Sequence, residues 1–345
     1  MVKTCFLKAM KVLFAMVVFP AASVVAAPPL LSVESGLFDA GQADTLGLTR
    51  APGLETFTVF APTAGENHYN HGAVVTSFQG RLYVQWQSSA RDEDAPDTDV
   101  VFASASASDP AAWTPPAVLA RARQGSLVTS GGWWTDGETL VAFINVWPGW
   151  EDGLREGHAE YIISTDGESW SAPRPVLGAG GKPVPGVIEQ DPHGMADGRI
   201  IGAFHVAPSL TAAPYYTDSP LATDGWTRGT MENLPSDGTV SRELEPSLFV
   251  RPDGAVVMIF RDQMSSFQTL ASISHDWGET WTTPALSPFP DARTKQSAGN
   301  LPDGSVFRVG NPNGNKARFP LVVSLSGDGQ MFDRAYLMRA GGADM

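Results

Sequence analysis

A short motif of turn-forming residues, ending in a large aromatic side chain, constrains the fold of this chain more than any other feature. The clearest copy, residues 273–281, reads Ile-Ser-His-Asp-Trp-Gly-Glu-Thr-Trp. Its Ser274 and Asp276 can bond backbone groups a few residues further on, and Gly278 can adopt the positive φ of a tight reversal. Trp281 offers a large ring to bury between sheets. The motif therefore predicts a fastened hairpin with an aromatic anchor.

The motif recurs with decreasing fidelity along the chain. Residues 164–170 and 326–332 are copies shortened by one residue, whereas residues 106–113 and 218–226 keep mainly the terminal tryptophan. The aromatic anchors are separated by 57, 56, 55 and 51 residues and are Trp113, Trp170, Trp226, Trp281 and Phe332. A near-constant period with several strands in each repeat is typical of a β-propeller.

Turn dipeptides repeat with the same period. Asp-Gly between two alternating runs is a strong hairpin signal, and it occurs at residues 136–137, 197–198, 253–254 and 303–304, with Gln-Gly at 79–80 in the first repeat. We therefore predict an all-β, single-domain propeller over residues 28–345, six-bladed or incomplete at its C-terminal end. Residues 56–60, an alternating run without a motif of its own, are expected to form a lead-in strand that completes the last blade.

The first 27 residues have the features of an export signal. Lys3, Lys8 and Lys11 precede an apolar stretch at 12–19 that is too short to span a membrane, and small residues follow at 21–27. Cys5, the only cysteine, lies inside this segment, so the remainder has neither a disulfide nor a cysteine metal site. We expect a periplasmic or secreted protein that is free of the membrane once the signal is removed.

The charge balance excludes some partners. The chain carries a formal net charge of −14, and loss of the three signal lysines makes the rest more negative. Such a chain is a poor partner for nucleic acid, although a local arginine cluster can still bind an anionic ligand. The spacing of His, Asp and Glu shows no metal-ligand pattern. We expect no metal, no cofactor and a monomer.

The spacing Ser-x-Asp-x-Gly-x-Thr-Trp resembles the Asp box, or BNR repeat, of sialidase-like β-propellers, and the resemblance covers most of residues 68–335. Residues 243–261 resemble the sialidase strand pair in which a Glu precedes a Pro-Asp-Gly turn and an Arg ends the next strand. Residues 301–318 resemble the segment that supplies the last arginine of the carboxylate clamp. The resemblance implies that Arg261 and Arg318 bind a carboxylate and that Glu245, or alternatively Glu243, activates a tyrosine nucleophile. It places the acid/base aspartate at Asp92 or Asp94.

One departure from that family points to a different chemistry. Where sialidases open the first blade with a Tyr-Arg-Ile-Pro-like motif, residues 69–72 read Tyr-Asn-His-Gly. The clamp arginine of that motif is therefore absent, and a histidine, His71, lies at this spot. Histidine can act as an acid or a base near neutral pH. Related propellers include lyases and rhamnosidases that act next to uronic acids, with His and Arg in one pocket. His71 or His193 would then be the base, and Gln190 and Arg242 are further candidates for substrate binding.

Three functions therefore remain open, and each has a glycan with an acidic terminal sugar as partner. The first is a glycoside hydrolase resembling exo-sialidases, in which arginine forks hold the sugar carboxylate. The second is a uronate-directed polysaccharide lyase or a rhamnosidase that uses a histidine as acid/base. The third is a glycan-binding propeller without catalytic activity.

Overall fold

A computed structural model of the protein describes residues 28–153, 156–188, 190–236 and 240–342. Within these ranges the strands form five sheets of four or five strands and one two-stranded pair. One short 3₁₀ helix, at Trp150–Asp152, is present in the same ranges. The prediction of an all-β propeller is confirmed, with five blades in the described part of the chain. The predicted export signal, residues 1–27, lies outside the described residues.

The lead-in strand is β1 (Ser32–Val33). The strands of the first two blades are β2 (Tyr69–Phe78), β3 (Arg81–Ser89), β4 (Asp99–Ser106), β5 (Ala117–Ala120), β6 (Ser126–Thr135), β7 (Leu140–Pro148), β8 (His158–Ser164) and β9 (Arg174–Pro175). The third blade consists of β10 (Gly186–Ile188), β11 (His193–Gly194), β12 (Ile200–Val206), β13 (Thr211–Thr217) and β14 (Thr227–Arg228). The strands of the last two blades are β15 (Glu243–Val250), β16 (Val256–Asp262), β17 (Gln268–Ser274), β18 (Ala285–Pro290), β19 (Ser297–Asn300), β20 (Val306–Gly310), β21 (Leu321–Ser326), β22 (Met331–Phe332) and β23 (Arg334–Arg339).

Each blade is an antiparallel sheet whose strands follow one another in chain order. The first two strands of each blade meet at the predicted turn dipeptide. Between β15 and β16, for example, Gly254 has φ 84°, a conformation that glycine adopts without the steric cost of a side chain. The periodic turn signal in the sequence therefore located the hairpins correctly.

The repeated motifs form the predicted fastened turns between strands three and four of their blades. In the clearest copy the Ser274 hydroxyl accepts a hydrogen bond from the Gly278 amide at 2.9 Å, and Asp276 Oδ1 accepts one from the Thr280 amide at 2.8 Å. The Trp281 indole is 7% exposed and donates to the Gly278 carbonyl at 3.0 Å. Its ring joins a buried cluster that includes Ile201 of the third blade. The anchor therefore fixes one blade against the preceding one.

The lead-in differs from the prediction. Residues 56–60 form no strand. Instead β1 pairs in parallel with β22, and Arg50 bridges Leu337 of β23. The alternation of residues 56–60 has another cause, because Val59 and Phe60 pack on the face of the first blade, where the Phe60 ring lies 5.9 Å from that of Trp86. The lead-in thus connects the edge of the fifth blade to the first blade.

Candidate functional site

A cavity of about 400 Å³ opens on the propeller axis, at the end where the inner strands begin. We call it the first cavity. It is lined by side chains from the first, second, fourth and fifth blades. The structure brings together in it five residues that the sequence predicted, namely His71, Asp94, Glu245, Arg261 and Arg318. Arg261 and Arg318, the two arginines that the acidic-ligand hypothesis requires, both face this cavity.

The inner strands are irregular at the level of this cavity. The register shifts between His71 and Val74 in β2, and between Ser130 and Gly132 in β6. A third shift lies between Leu244 and Ser247 in β15. The inner strand of the third blade is divided at the same level into β10 and β11. Bulges re-aim side chains and are common beside functional sites. Here they turn His71, Ser130 and Glu245 into the cavity.

Glu245 occupies a strained backbone position. Its φ is 52° and it precedes Pro246, a combination that sterics disfavour for a residue with a side chain. Two contacts hold it there. The Glu245 amide donates to His205 Nε2 at 3.2 Å, and Arg261 Nη1 donates to the Glu245 carboxylate at 2.9 Å. Strain of this kind persists where the surrounding structure enforces it, and it is concentrated at functional sites.

Three cationic side chains converge on the first cavity: Arg261, Lys295 and Arg318. Arg261 also donates from Nη2 to Gln263 Oε1 at 2.8 Å, so its guanidinium is fixed in orientation. Arg318 is exposed and forms no side-chain hydrogen bond or ion pair with another described residue. A planar guanidinium in this state is suited to bidentate binding of a ligand carboxylate.

On the first blade, His71 faces the acidic loop at residues 90–98. His71 Nε2 lies 3.5 Å from Glu93 Oε2, and both side chains are more than half exposed. Glu93 and Asp94 line the cavity. Asp92, the other predicted acid/base residue, is outside the lining and pairs with Arg91 at 2.8 Å. The Asp92 carboxylate also accepts the Asp94 amide at 3.2 Å, so its contacts stabilise the loop.

The second blade supplies an aromatic wall that the sequence did not predict as part of the site. Trp147 and Trp150 line the cavity, and their rings meet edge to face with centroids 5.4 Å apart. Trp147 Nε1 donates to Thr129 Oγ1 at 3.2 Å, which fixes the ring. The available signal was the Trp-Pro-Gly-Trp run at residues 147–150, which includes the end of β7 and the start of the long loop after it. An apolar wall beside charged groups suits a sugar, which has both a C–H face and polar substituents.

Three other predicted residues are placed elsewhere. His193 and Gln190 line a second cavity further along the axis. Arg242 forms a two-point ion pair with the buried Asp262, with Nε–Oδ1 and Nη2–Oδ2 distances of 2.8 and 2.9 Å. The hydrogen bonds of this pair occupy the guanidinium fork of Arg242, which does not line the first cavity.

No tyrosine lines the first cavity, although all six tyrosines of the chain are described. The Tyr69 hydroxyl lies 3.5 Å from Glu93, which does line the cavity. Burial and the neighbouring Glu93 carboxylate raise the pKa of Tyr69, which disfavours the nucleophilic phenolate. Tyr336 lies on β23 and pairs with Val323. The tyrosine nucleophile that sialidases use therefore has no counterpart among the residues that line this cavity.

Two further properties concern the described residues as a set. They contain no cluster of three or more His, Cys, Asp or Glu side chains arranged to hold a metal ion. None of their helices combines the length and the apolar character that crossing a bilayer requires.

Comparison with known proteins gives the same architecture. The family model of the BNR repeat-like domain matches residues 80–344. No curated protein is a significant match in sequence. A Dyadobacter fermentans protein of unknown function is similar in structure, with 17% identity, a TM-score of 0.62, and 81% of this chain and 85% of that chain covered.

Two sialidase structures are also similar. The intramolecular trans-sialidase from Ruminococcus gnavus shares 12% identity, with a TM-score of 0.59 and coverage of 86% of this chain and 88% of that one. The Hadza microbial sialidase Hz136 shares 14% identity, with a TM-score of 0.64, and the match spans 80% of this chain and 60% of that chain. At these identities the likeness establishes the sialidase-like fold and leaves the activity to the site itself.

Proposed function

This chain belongs to the BNR repeat-like domain family, and we propose that it is a carbohydrate-active enzyme that acts on a carboxylate-bearing sugar of a glycan. The observation that carries the proposal is the convergence of Arg261, Lys295 and Arg318 on the cavity that also holds His71. In a chain of net charge −14, the fourth and fifth blades place three cations on one side of this cavity. Arg261 is paired with Glu245, and Glu93 and Asp94 lie on the first-blade side, so the positive field is local to the side that holds Arg318 and Lys295. A sugar carboxylate is the ligand that such a field selects.

The reaction that these residues support best is elimination next to a uronate carboxylate. Arg261, Arg318 and Lys295 neutralise the carboxylate, which stabilises the charge that develops on it when the neighbouring C5–H bond breaks. His71 accepts that proton. The electron pair forms the C4–C5 double bond, the C4–O bond breaks, and the leaving oxygen takes a proton. Among the cavity acids, Asp94 and Glu93 lie on the His71 side and are candidates to supply it.

A second candidate is hydrolysis of a terminal acidic sugar. The carboxylates of Glu245 and Asp94, both in the cavity lining, favour it, since glycoside cleavage uses an acid together with a base or nucleophile. The resemblance to sialidases supports the same candidate. Without a tyrosine in the lining, this route requires activation of water by a carboxylate. The location we propose for either activity is the periplasm or the exterior, reached through residues 1–27.

The experiment that tests the proposal is a product assay on sialylated and uronate-containing glycans. An elimination product absorbs in the ultraviolet, because its new C4–C5 double bond is conjugated with the retained carboxylate. A hydrolysis product is a new reducing end without that absorbance. If the protein binds acidic glycans but converts none of them, the proposal of an enzyme is rejected and the protein is a glycan-binding propeller.

Two variants with matched controls assign the roles. We expect His71→Ala to lower kcat by about 100-fold or more, as for loss of a general base, and His275→Ala, in an exposed turn, to leave it unchanged. Arg318→Ala should weaken substrate binding by about 10- to 100-fold, as for loss of a charge-assisted hydrogen bond. Arg228→Ala, on the outermost strand of the third blade, is its control. Full activity in His71→Ala would exclude this histidine as the base.

A further inference from the structure

A second cavity, of about 570 Å³, lies on the axis beyond the first one. Along each inner strand it is reached after the residues that line the first cavity: Thr76 follows His71 in β2, and Ser247 follows Glu245 in β15. The inner strands of all five blades contribute to it, since Trp134, His193 and Ser297 also line it. It is therefore a separate axial site, within the size range of small-molecule sites.

The chemistry of this second cavity contrasts with that of the first. None of the described residues that line it is an arginine or a lysine. Its walls combine the rings of Trp134 and Phe307 with a small set of polar side chains, Gln190, Asp191, His193 and Asn300. Apolar faces with a few convergent polar groups are typical of sites that bind and orient a small ligand. The cavity therefore provides no fixed cation that could attract a ligand carboxylate.

The two titratable groups of the second cavity are both biased toward their uncharged forms. Burial lowers the pKa of His193 to about 4, so its imidazole is neutral at pH 7. Burial raises the pKa of Asp191 to about 7, against the hydrogen bond from the Trp133 amide and the charge of Lys295. The His193 ring forms no hydrogen bond with another described residue. A neutral imidazole offers one donor and one acceptor, and both are available to a ligand.

Small residues keep the walls accessible. A Cβ atom at Gly299 would lie 2.9 Å from Phe307 Cε1 and 3.7 Å from His193 Cε1. A Cβ atom at Gly194 would lie 3.1 Å from Trp134 Cη2. A side chain at either position would therefore occupy the space next to the ring faces and the imidazole. Because both positions are glycines, that space is open to a ligand.

We propose that the second cavity binds one neutral sugar unit, at a site distinct from the acidic-sugar site of the first cavity. The sugar hydroxyls would bond to Gln190, Asp191 and His193, and a C–H face of the ring would lie against Trp134 or Phe307. Asn300 is less suited to the ligand, because its side-chain amide already bonds the Val250 backbone. This assignment gives His193 and Gln190 a ligand of their own and does not depend on which reaction occurs in the first cavity. An acidic sugar is disfavoured there, because the lining offers its carboxylate no arginine or lysine.

The test is calorimetric titration of the full chain with glucose, galactose, mannose, xylose and rhamnose, and with glucuronate as the charged comparison. We expect at least one neutral sugar to bind with one-to-one stoichiometry. His193→Leu removes the donor and the acceptor, and Ser297→Trp fills the cavity from an exposed position. Each should weaken that binding at least 10-fold, whereas Arg318→Ala in the first cavity should not change it.

Thermal unfolding of both variants verifies that they are folded. If His193→Leu does not fold, Ser297→Trp alone tests the proposal. Absence of binding by every neutral sugar, or equal binding by the wild type and both variants, would overturn the proposal. Binding of glucuronate that is lost in Arg318→Ala but retained in His193→Leu would confirm that the two cavities act separately. Failure of turnover at the first cavity would leave these titrations unaffected, so the two proposals can fail independently.

Discussion

At the scale of single residues, the position of Glu245 is the clearest sign that this propeller does more than fold. A glutamate at φ 52° before a proline costs stability that glycine would not cost. The surrounding structure retains the strain through His205 and Arg261. The strained conformation fixes the Glu245 carboxylate beside the Arg261 guanidinium in the first cavity. A regular strand would direct this carboxylate elsewhere.

Because of this strain, a glycine at position 245 should stabilise the protein more than an alanine, which is the reverse of the usual order in a strand. Glu245→Gly and Glu245→Ala both remove the carboxylate, but only glycine relieves the backbone, so the glycine variant should be more stable by about 1 kcal/mol in urea unfolding. The control is Ser77→Gly against Ser77→Ala at an exposed position of β2, where glycine should be the less stable. An alanine variant at 245 as stable as the glycine variant would show that the position is not strained.

At the residue scale, the sequence predicts which side chains face the axis but not the level of the axis that each one reaches. The resemblance of residues 243–261 to the sialidase strand pair predicts that Glu245 and Arg261 share one pocket, and both line the first cavity. The sequence also predicts His193 and Gln190 in the same pocket as His71, because residues 187–193 read as one inner strand, whereas in the structure His193 and Gln190 line the second cavity. Which level of the axis each reaches depends on the bulges in β2, β6 and β15, and no residue pattern in the sequence marks them.

At the scale of elements, a partly buried ion pair joins the segment between the first two blades to the third strand of the second blade. Arg123, in the segment between the first two blades, donates from Nη1 and Nη2 to the Glu160 carboxylate of β8, at 2.9 and 2.6 Å. His158 Nε2 lies 3.5 Å from the same carboxylate. Hydrogen bonds from His158 and Arg123 lower the pKa of Glu160 to about 2. The pair is largely shielded from solvent, since the Glu160 side chain is 15% exposed.

This pKa predicts a defined loss of stability in acid. Since the folded pKa is below the unfolded value of 4.5, the contribution is complete above that value and is lost as the pH falls toward 2. The wild type should therefore lose an advantage over Glu160→Gln on the order of 2 kcal/mol between pH 6 and pH 2.5. Urea unfolding at both pH values measures it. Glu138→Gln, in an exposed turn, should show no such dependence, and parallel pH curves for the wild type and Glu160→Gln would contradict the assignment.

At the scale of the whole molecule, the lead-in joins the first and last parts of the described disc. Its Leu31 is fully buried with Phe249, Phe289 and Phe332. Further along, residues 49–51 bond to Leu337 of β23, and Phe60 reaches Trp86 of the first blade. Hydrophobic contacts distant in sequence, rather than a continuous strand ladder, therefore connect these blades.

This arrangement predicts that a lead-in residue behaves as a core residue. Leu31→Ala should lower the free energy of unfolding by about 2–5 kcal/mol, the range for a fully buried leucine. Leu301→Ala is the matched control, because Leu301 is 37% exposed and should cost less than about 1 kcal/mol. Equal costs in denaturant unfolding would mean that the lead-in does not contribute to the core.

The sequence by itself determined the local and periodic features: five fastened turns, the hairpins before them, and the aromatic anchors that hold one blade against the next. These follow from residue chemistry within a few positions, so they can be recognised without a fold. Only the tertiary structure decided that Arg261, Lys295, Arg318 and His71 share one cavity while His193 lines another, and that the lead-in packs on the first, fourth and fifth blades. Those relations depend on strand bulges and on contacts between residues up to about 300 positions apart, and such contacts are set by the packing of the whole disc rather than by any local pattern.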